Sequence, residues 1–393
     1  METQNNLQSR RIPIDYTIAF LVFILAIFSL VAIYSASGQY ASGDSTYFVK
    51  RQLVFYGLGF IAMMVVASID FEILEKLTIP LYICGILLLM AVEVFGVEKF
   101  GAKRAISLKV IDVQPSEFMK FFLIILISSL LAKLGKSRLS FKESIVVTIK
   151  ILFFTAIPLV LILRQPDLGT TLMIIFAVAM LIYTSSISLK MSYLLTALGI
   201  SGLGALVFLY FNNSELFSKL IHSYQLSRIY GWLNPAEHSQ GFGYQLQQAL
   251  LGIGSGQLTG SGFNQGYQVQ SGRIPEVHTD FIFVVIGEEF GFIGTSLLII
   301  VFFLLIYRII TIAINANSLF GVYICIGVIA LYTFQIFQNI GMTIGLMPIT
   351  GIALPFISYG GSSLLTNMMA LGLVTSVHLR TKTYMFGEDE SME

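Results

Sequence analysis

Charge is what this sequence has least of. Only 11% of its 393 residues are Asp, Glu, Lys or Arg, where a soluble chain carries about 25%. The formal net charge is +1, so nothing in the charge balance points to nucleic acid or to an acidic partner. Cysteine is as scarce. Cys84 and Cys325 each lie inside an apolar segment, and read as small core residues rather than a disulfide or a metal pair. No His, Cys or acid cluster at ligand spacing accompanies His278, which reads as a local hydrogen-bonding residue. No internal repeat, low-complexity tail or separate soluble domain stands out.

What fills the chain is apolar: 56% of it is hydrophobic, in runs that exceed the ~20 residues needed to cross a bilayer as a helix. The fold class is all-α, a polytopic integral membrane protein read as a single membrane domain over 1–393. Ten spans are expected, at 14–36, 51–69, 77–96, 114–133, 146–164, 167–184, 189–211, 279–308, 318–341 and 350–380. The first run is too long for a signal-peptide core of about 7–15 residues, so an uncleaved first span is expected. An even count puts both termini on one side. Lys120 and Arg164 fall within spans, and Lys219, Arg228 and Arg273 lie on a long connection. With those set aside, the remaining cations favour cytoplasmic termini, with a short inner tail at 381–393. Lys50, Arg51, Lys99, Lys103, Arg104 and Lys109 are then left on the outer face. A cationic outer surface held against the insertion bias calls for an anion to bind.

Two outer connections are not short. The stretch 97–113 is cationic, and 212–279 far exceeds the ~12–15 residues of an ordinary loop. Within the second, 241–256 has the apolar spacing of a short helix at the bilayer surface.

Gln114-Pro115-Ser116-Glu117 and Gln165-Pro166-Asp167-Leu168-Gly169 each place proline and an acid where a helix starts. Glu117 and Lys120 share a helix face and are expected to pair; a structural pair and a substrate contact are both open. Arg164 and Asp167 flank a proline break, either as a salt bridge closing the turn or with the arginine fork gripping phosphate. Asp280 differs, because no cation adjoins it in sequence. It sits where a polar loop meets an apolar helix, and Thr279 or Asp280 is a natural cap for that helix. The same rim position would raise its pKa toward that of a general base. Glu288 and Glu289 lie further in, where buried acids mark relays or buried pairs. The run 351–363, with Pro355 and Gly360-Gly361, reads as a packing joint or a cavity wall.

Taken together, these motifs resemble the shape, elongation, division and sporulation family, the RodA/FtsW/SpoVE group, over essentially the whole chain. The match is carried by Gly101-Ala-Lys-Arg104, Gln114-Pro-Ser-Glu-Phe-Met-Lys120, Gln165-Pro-Asp-Leu-Gly-Thr170 and Gly243-Tyr-Gln245. Pro275-Glu-Val-His-Thr-Asp-Phe-Ile-Phe283 and Leu354-Pro-Phe-Ile-Ser-Tyr-Gly-Gly-Ser-Ser363 complete it. The Pro275–Phe283 run looks most like the elongation branch, while Pro355–Tyr359 is shared with the division and sporulation branches. The chain departs from the pattern at Ala105, where members often have Trp.

The resemblance implies a peptidoglycan glycosyltransferase that polymerises lipid II at the outer face of the plasma membrane. It further implies a class B penicillin-binding transpeptidase as partner, within the elongation machinery. Asp280 carries over as the catalytic residue, and the Glu117/Lys120 pair as important for activity. The residues nominated to bind substrate are Lys103, Arg104, Glu117, Lys120, Arg164, Asp167, Arg228, Arg273, His278, Glu288, Ser358 and Ser362. No cofactor is required, and divalent-cation assistance to pyrophosphate departure stays open. A lipid II flippase is the competing reading, since broken helices and buried acids suit a transporter equally; a scaffold for the transpeptidase is a third.

Overall fold

A computed structural model describes residues 14–37, 46–99, 102–107, 112–221, 223–238 and 241–384. Lys109 and the tail from 385 onward lie outside the described residues. The chain runs α1 (Tyr16–Ser37), α2 (Thr46–Ser68), α3 (Phe71–Lys76) and α4 (Thr78–Phe95), then β1 (Val97–Lys99), β2 (Ala102–Ser107) and β3 (Asp112–Val113). It continues through α5 (Pro115–Ala132), α6 (Phe141–Arg164), α7 (Leu168–Thr184) and α8 (Leu189–Asn212). Short helices α9 (Ser214–Leu220), α10 (Ser223–Leu233), α11 (Phe242–Gly256) and α12 (Tyr267–Gln270) follow. The last three are α13 (Ile282–Ile314), α14 (Leu319–Thr343) and α15 (Gly361–Tyr384).

Among the described residues, nine helices are long and apolar enough to cross a membrane, and α7 is a shorter apolar helix. At 17 residues, α7 is at the lower limit of about 17 for a span, which restores the expected ten. This is a multi-pass membrane protein. The core lies on α5, α14 and α15, which pack against α4 and α7, α13, and α2 respectively. By contrast α8 buries only Met191 and Ser192.

Several boundaries differ from expectation, each for a local reason. Helix α6 starts at Phe141 because Ser140 and Glu143 form a reciprocal capping box. Helix α2 starts at Thr46, taking Lys50 and Arg51 into its first turns, where Arg51 lies over the rings of Tyr47 and Phe55. The last span starts at Gly361, not 350. Pro355 has no N–H to donate, and Leu354 N–H instead bonds Ser358 Oγ at 2.8 Å. The cationic connection is not helical at all, but a small antiparallel sheet ordered β1-β2-β3.

Most of the long connection is helical too, and part of it is plugged into a span. Gly291 breaks α13 with φ 61° and ψ −157°, a conformation open chiefly to glycine. The donors freed at the break bond backward into the connection: Phe292 N–H to Gln257 O at 2.9 Å and Ile293 N–H to Leu258 O at 3.1 Å. Ser261 and Gly262 return the contact to the carbonyls of Glu288 and Glu289. Backbone groups at membrane depth must be satisfied by protein, and here the connection satisfies them.

Candidate active site

Five pieces of chain meet around Asp280. They are the turn before α13, the segment 349–352, α10, the start of α7 and the sheet-borne Arg104. The helix preceded by the turn begins at Ile282, with Phe281 at its cap position and no side-chain cap bond. The expected cap by Thr279 or Asp280 is therefore overturned. Thr279 Oγ1 donates instead to Glu276 O at 2.8 Å.

The Asp280 side chain is half-buried and, among the described residues, accepts no hydrogen bond and makes no ion pair. Its own backbone carbonyl is held by Asn339 Nδ2 at 2.8 Å. Burial raises its pKa above the usual carboxylate range, opposed by the charges of Arg228 and Arg104 and aided by that of Asp167.

Arg228 is buried, and every contact aims its fork at this place. Nη1 donates to the carbonyls of Ile349, at 3.4 Å, and Thr350. Nη2 donates to Tyr224 Oη at 2.8 Å. The guanidinium lies 4.7 Å from the Tyr224 ring centroid and 5.0 Å from that of Phe242. Arg104 also lies over the Tyr224 ring, at 5.9 Å, and donates through Nε to Gln165 O at 3.1 Å and through Nη2 to Pro166 O.

Asp167 caps α7 through Thr170 N–H at 3.1 Å and also accepts from Thr170 Oγ1 at 2.8 Å and Gln114 Nε2 at 3.2 Å. Its carboxylate thus turns toward the start of α5 and away from Arg164. The salt bridge weighed between Arg164 and Asp167 does not form, and Arg164 is exposed at the end of α6. Glu117 and Lys120 do pair, at 2.7 Å. The contact is an ion pair without hydrogen-bond direction at Nζ, and Thr366 Oγ1 donates to the same carboxylate at 3.1 Å.

The remaining nominated residues hold the frame. Ser358 Oγ donates to Thr279 O at 2.7 Å, and Ser362 Oγ to Asp112 O at 2.6 Å. Glu288 accepts the N–H groups of Gln268 at 2.7 Å and Val269 at 3.0 Å, tying α12 to α13. His278 is buried against Phe48 and Tyr359 and lies 3.6 Å from Glu276. Burial pushes its pKa down to about 4, so the ring is neutral at physiological pH. Lys103 is exposed, and Arg273 is exposed against Tyr267, donating to its hydroxyl at 2.9 Å. No group of three or more His, Cys, Asp or Glu able to hold a metal is present among the described residues.

Sequence reasoning did not single out Tyr224 or Asn339, and it named Gly351 only as the first residue of the run 351–363. Only Asn339 left a signal, as a buried amide inside an apolar span.

The whole chain has known counterparts. The FtsW/RodA/SpoVE cell cycle protein family model matches residues 16–383. Stage V sporulation protein E of Bacillus subtilis is 35% identical, over 92% of this chain and 96% of its own. Peptidoglycan glycosyltransferase MrdB of Escherichia coli is 32% identical, over 95% of each chain. Among solved structures, a chain of a peptidoglycan synthase complex that coordinates polymerization and crosslinking superposes with a TM-score of 0.76 at 28% identity, covering 93% of this chain and 98% of that one. The rod shape determining protein RodA of Thermus thermophilus superposes with a TM-score of 0.67 at 28% identity, covering 93% and 97%.

Proposed function

The chain belongs to the FtsW/RodA/SpoVE family of cell cycle proteins, and from that premise we propose a peptidoglycan glycosyltransferase that polymerises lipid II with Asp280 as its general base. The observation that carries the reading is a half-buried carboxylate with no partner of its own, flanked beyond pairing distance by two arginines. Such a group is raised toward the pH at which it works and has both oxygens free.

In the proposed step an Asp280 oxygen takes the proton of the acceptor sugar's 4-hydroxyl. The hydroxyl oxygen bonds to the anomeric carbon of the donor chain as the bond from that carbon to the pyrophosphate breaks. The electron pair leaves with the pyrophosphate, configuration inverts, and the proton passes from Asp280 to water. Arg104 and Arg228 are the cations that stabilise the departing charge, a type of electrostatic contribution that is often the largest. Arg228 replaces Arg164 in this role, since its fork is fixed at the site while Arg164 lies exposed.

Likeness to a chain of a peptidoglycan synthase complex supports a penicillin-binding transpeptidase of class B as the partner. The Pro275–Phe283 run supports the elongation branch, and complementation of elongation-depleted against division-depleted cells tests it. The chemistry would then face outward, with both termini cytoplasmic, which reporter fusions at each end would read.

Purified protein supplied with lipid II in detergent should form glycan polymer, and Asp280→Asn should abolish it while remaining folded. Full polymerisation by the Asn variant sinks the assignment. Lipid II scrambling in liposomes without polymer marks a transporter instead.

A further inference from the structure

We infer that Gly351 and Asn339 are positioning residues that hold Asp280 beside Arg228 but out of direct contact with it. The inference rests on Asp280 being the base, and adds how the fold keeps that base available.

Arg228 and Asp280 face each other across one residue. A Cβ on Gly351 would lie 3.0 Å from Asp280 Oδ2, 3.1 Å from Arg228 Nη2 and 3.3 Å from Nη1. Those distances are tighter than ordinary methyl contacts, so a side chain there would push the carboxylate and the guanidinium back by a few tenths of an ångström, and φ of +73° there favours glycine independently. The bare Cα therefore occupies the gap between carboxylate and guanidinium without filling it. Two further restraints keep the gap from closing. Arg228 Nη1 is committed to the carbonyls of Ile349 and Thr350, immediately before Gly351. From α14, the fully buried Asn339 donates through Nδ2 to Asp280 O at 2.8 Å and to Ile352 O at 2.7 Å. One amide thus staples the Asp280 turn to the chain just after Gly351, so the guanidinium and the carboxylate are fixed to the same short segment.

The consequence is chemical. A direct ion pair would keep the carboxylate ionised and occupy its oxygens, making it a poor proton acceptor. The groups whose charges act on Asp280 are Arg228 of α10, Arg104 of β2, Asp167 at the start of α7 and Glu276 of its own turn, beside which His278 lies 3.6 Å away. Of these only the two arginines attract its charge, and both are held by other partners.

The test is the pH dependence of polymerisation from lipid II by the full-length protein, with turnover and KM resolved separately. In Gly351→Ala the methyl group should push the charges apart. Turnover should fall ~10-fold or more, on the scale of a misplaced catalytic group, with KM little changed and the acid limb moved to higher pH. In Asn339→Ala the freed turn can close on Arg228, so the acid limb should move to lower pH. Asn339→Ser, which keeps a hydroxyl donor and intrudes least on the fold, should fall between Ala and the parent. Opposite displacements from two neighbouring substitutions are not what general loosening gives. An acid limb present in the parent that Gly351→Ala and both Asn339 variants leave in place overturns this inference alone. A parent enzyme with no acid limb at all removes the base assignment beneath it.

Discussion

Arg228 and Tyr224, one turn apart on α10, hold each other twice: Nη2 donates to the phenol oxygen at 2.8 Å, and the guanidinium stands 4.7 Å from the ring centroid. A third contact brings Arg104 toward the same ring at 5.9 Å. Tyr224→Phe keeps the ring and removes one charge-assisted hydrogen bond, worth about 1.5–3 kcal/mol. Turnover should drop measurably in Phe and further in Ala, where both arginines lose their support. Wild-type turnover in the Ala variant would show that the stack does not position Arg228.

Two arginines of similar sequence promise separate sharply. Arg104→Ala removes a cation that acts on Asp280 and should lower turnover ~10²–10³-fold, the scale of a lost transition-state donor. Arg164→Ala removes an exposed side chain, and polymer yield should stay within about twofold, as for a surface group worth at most ~0.5 kcal/mol.

The Glu117–Lys120 pair is buried at both ends. Lys120→Ala leaves a carboxylate uncompensated, which costs about 3–5 kcal/mol in comparable pairs. Replacing both by Leu and Met should destabilise less than the sum of the single changes. Thermal unfolding in detergent across a double-mutant cycle measures the coupling, and strict additivity would mean the two act independently.

Glu288→Gln should lower stability by about 1–3 kcal/mol, because an amide cannot accept from both Gln268 and Val269 N–H as the carboxylate does. Turnover per folded molecule should be retained. A folded variant that is inactive would instead give Glu288 a part in proton movement.

Activity should fall as pH drops through the pKa of Asp280, which burial holds above the ordinary ~3.9. Protonation there removes the acceptor, so the loss lies on the acid side. His278 contributes to stability in the same direction. Its folded pKa of about 4 lies below the unfolded value of ~6.5. The stability held above that value is therefore lost progressively as pH falls from it toward 4, where the unfolded chain takes up the proton first. Melting temperature against pH in the parent and in His278→Asn isolates that contribution.

Much of the architecture was legible because its causes are local in sequence. Apolar runs long enough to span, the Pro115 helix start and the Glu117–Lys120 spacing each act within a few residues, whereas Pro166 lies before the Asp167 cap of α7 rather than in its first turn. Boundaries differed where a side chain took over a backbone group, as Ser358 does for Leu354, and the break at Gly291 depends on a nonlocal partner, the long connection. The Arg164–Asp167 pair failed because Thr170 and Gln114 reached the carboxylate first.

Sequence by itself determined a membrane bundle of ten apolar helices and a carboxylate at the rim of one of them, since hydrophobicity and helix length are properties of contiguous residues. Which cations serve that carboxylate was decided only in three dimensions. Arg228 and Gly351 meet Asp280 from opposite sides in sequence, and Asn339 from a third place. Distance along the chain carries no information about contacts made by packing, so only the folded bundle brings these four together.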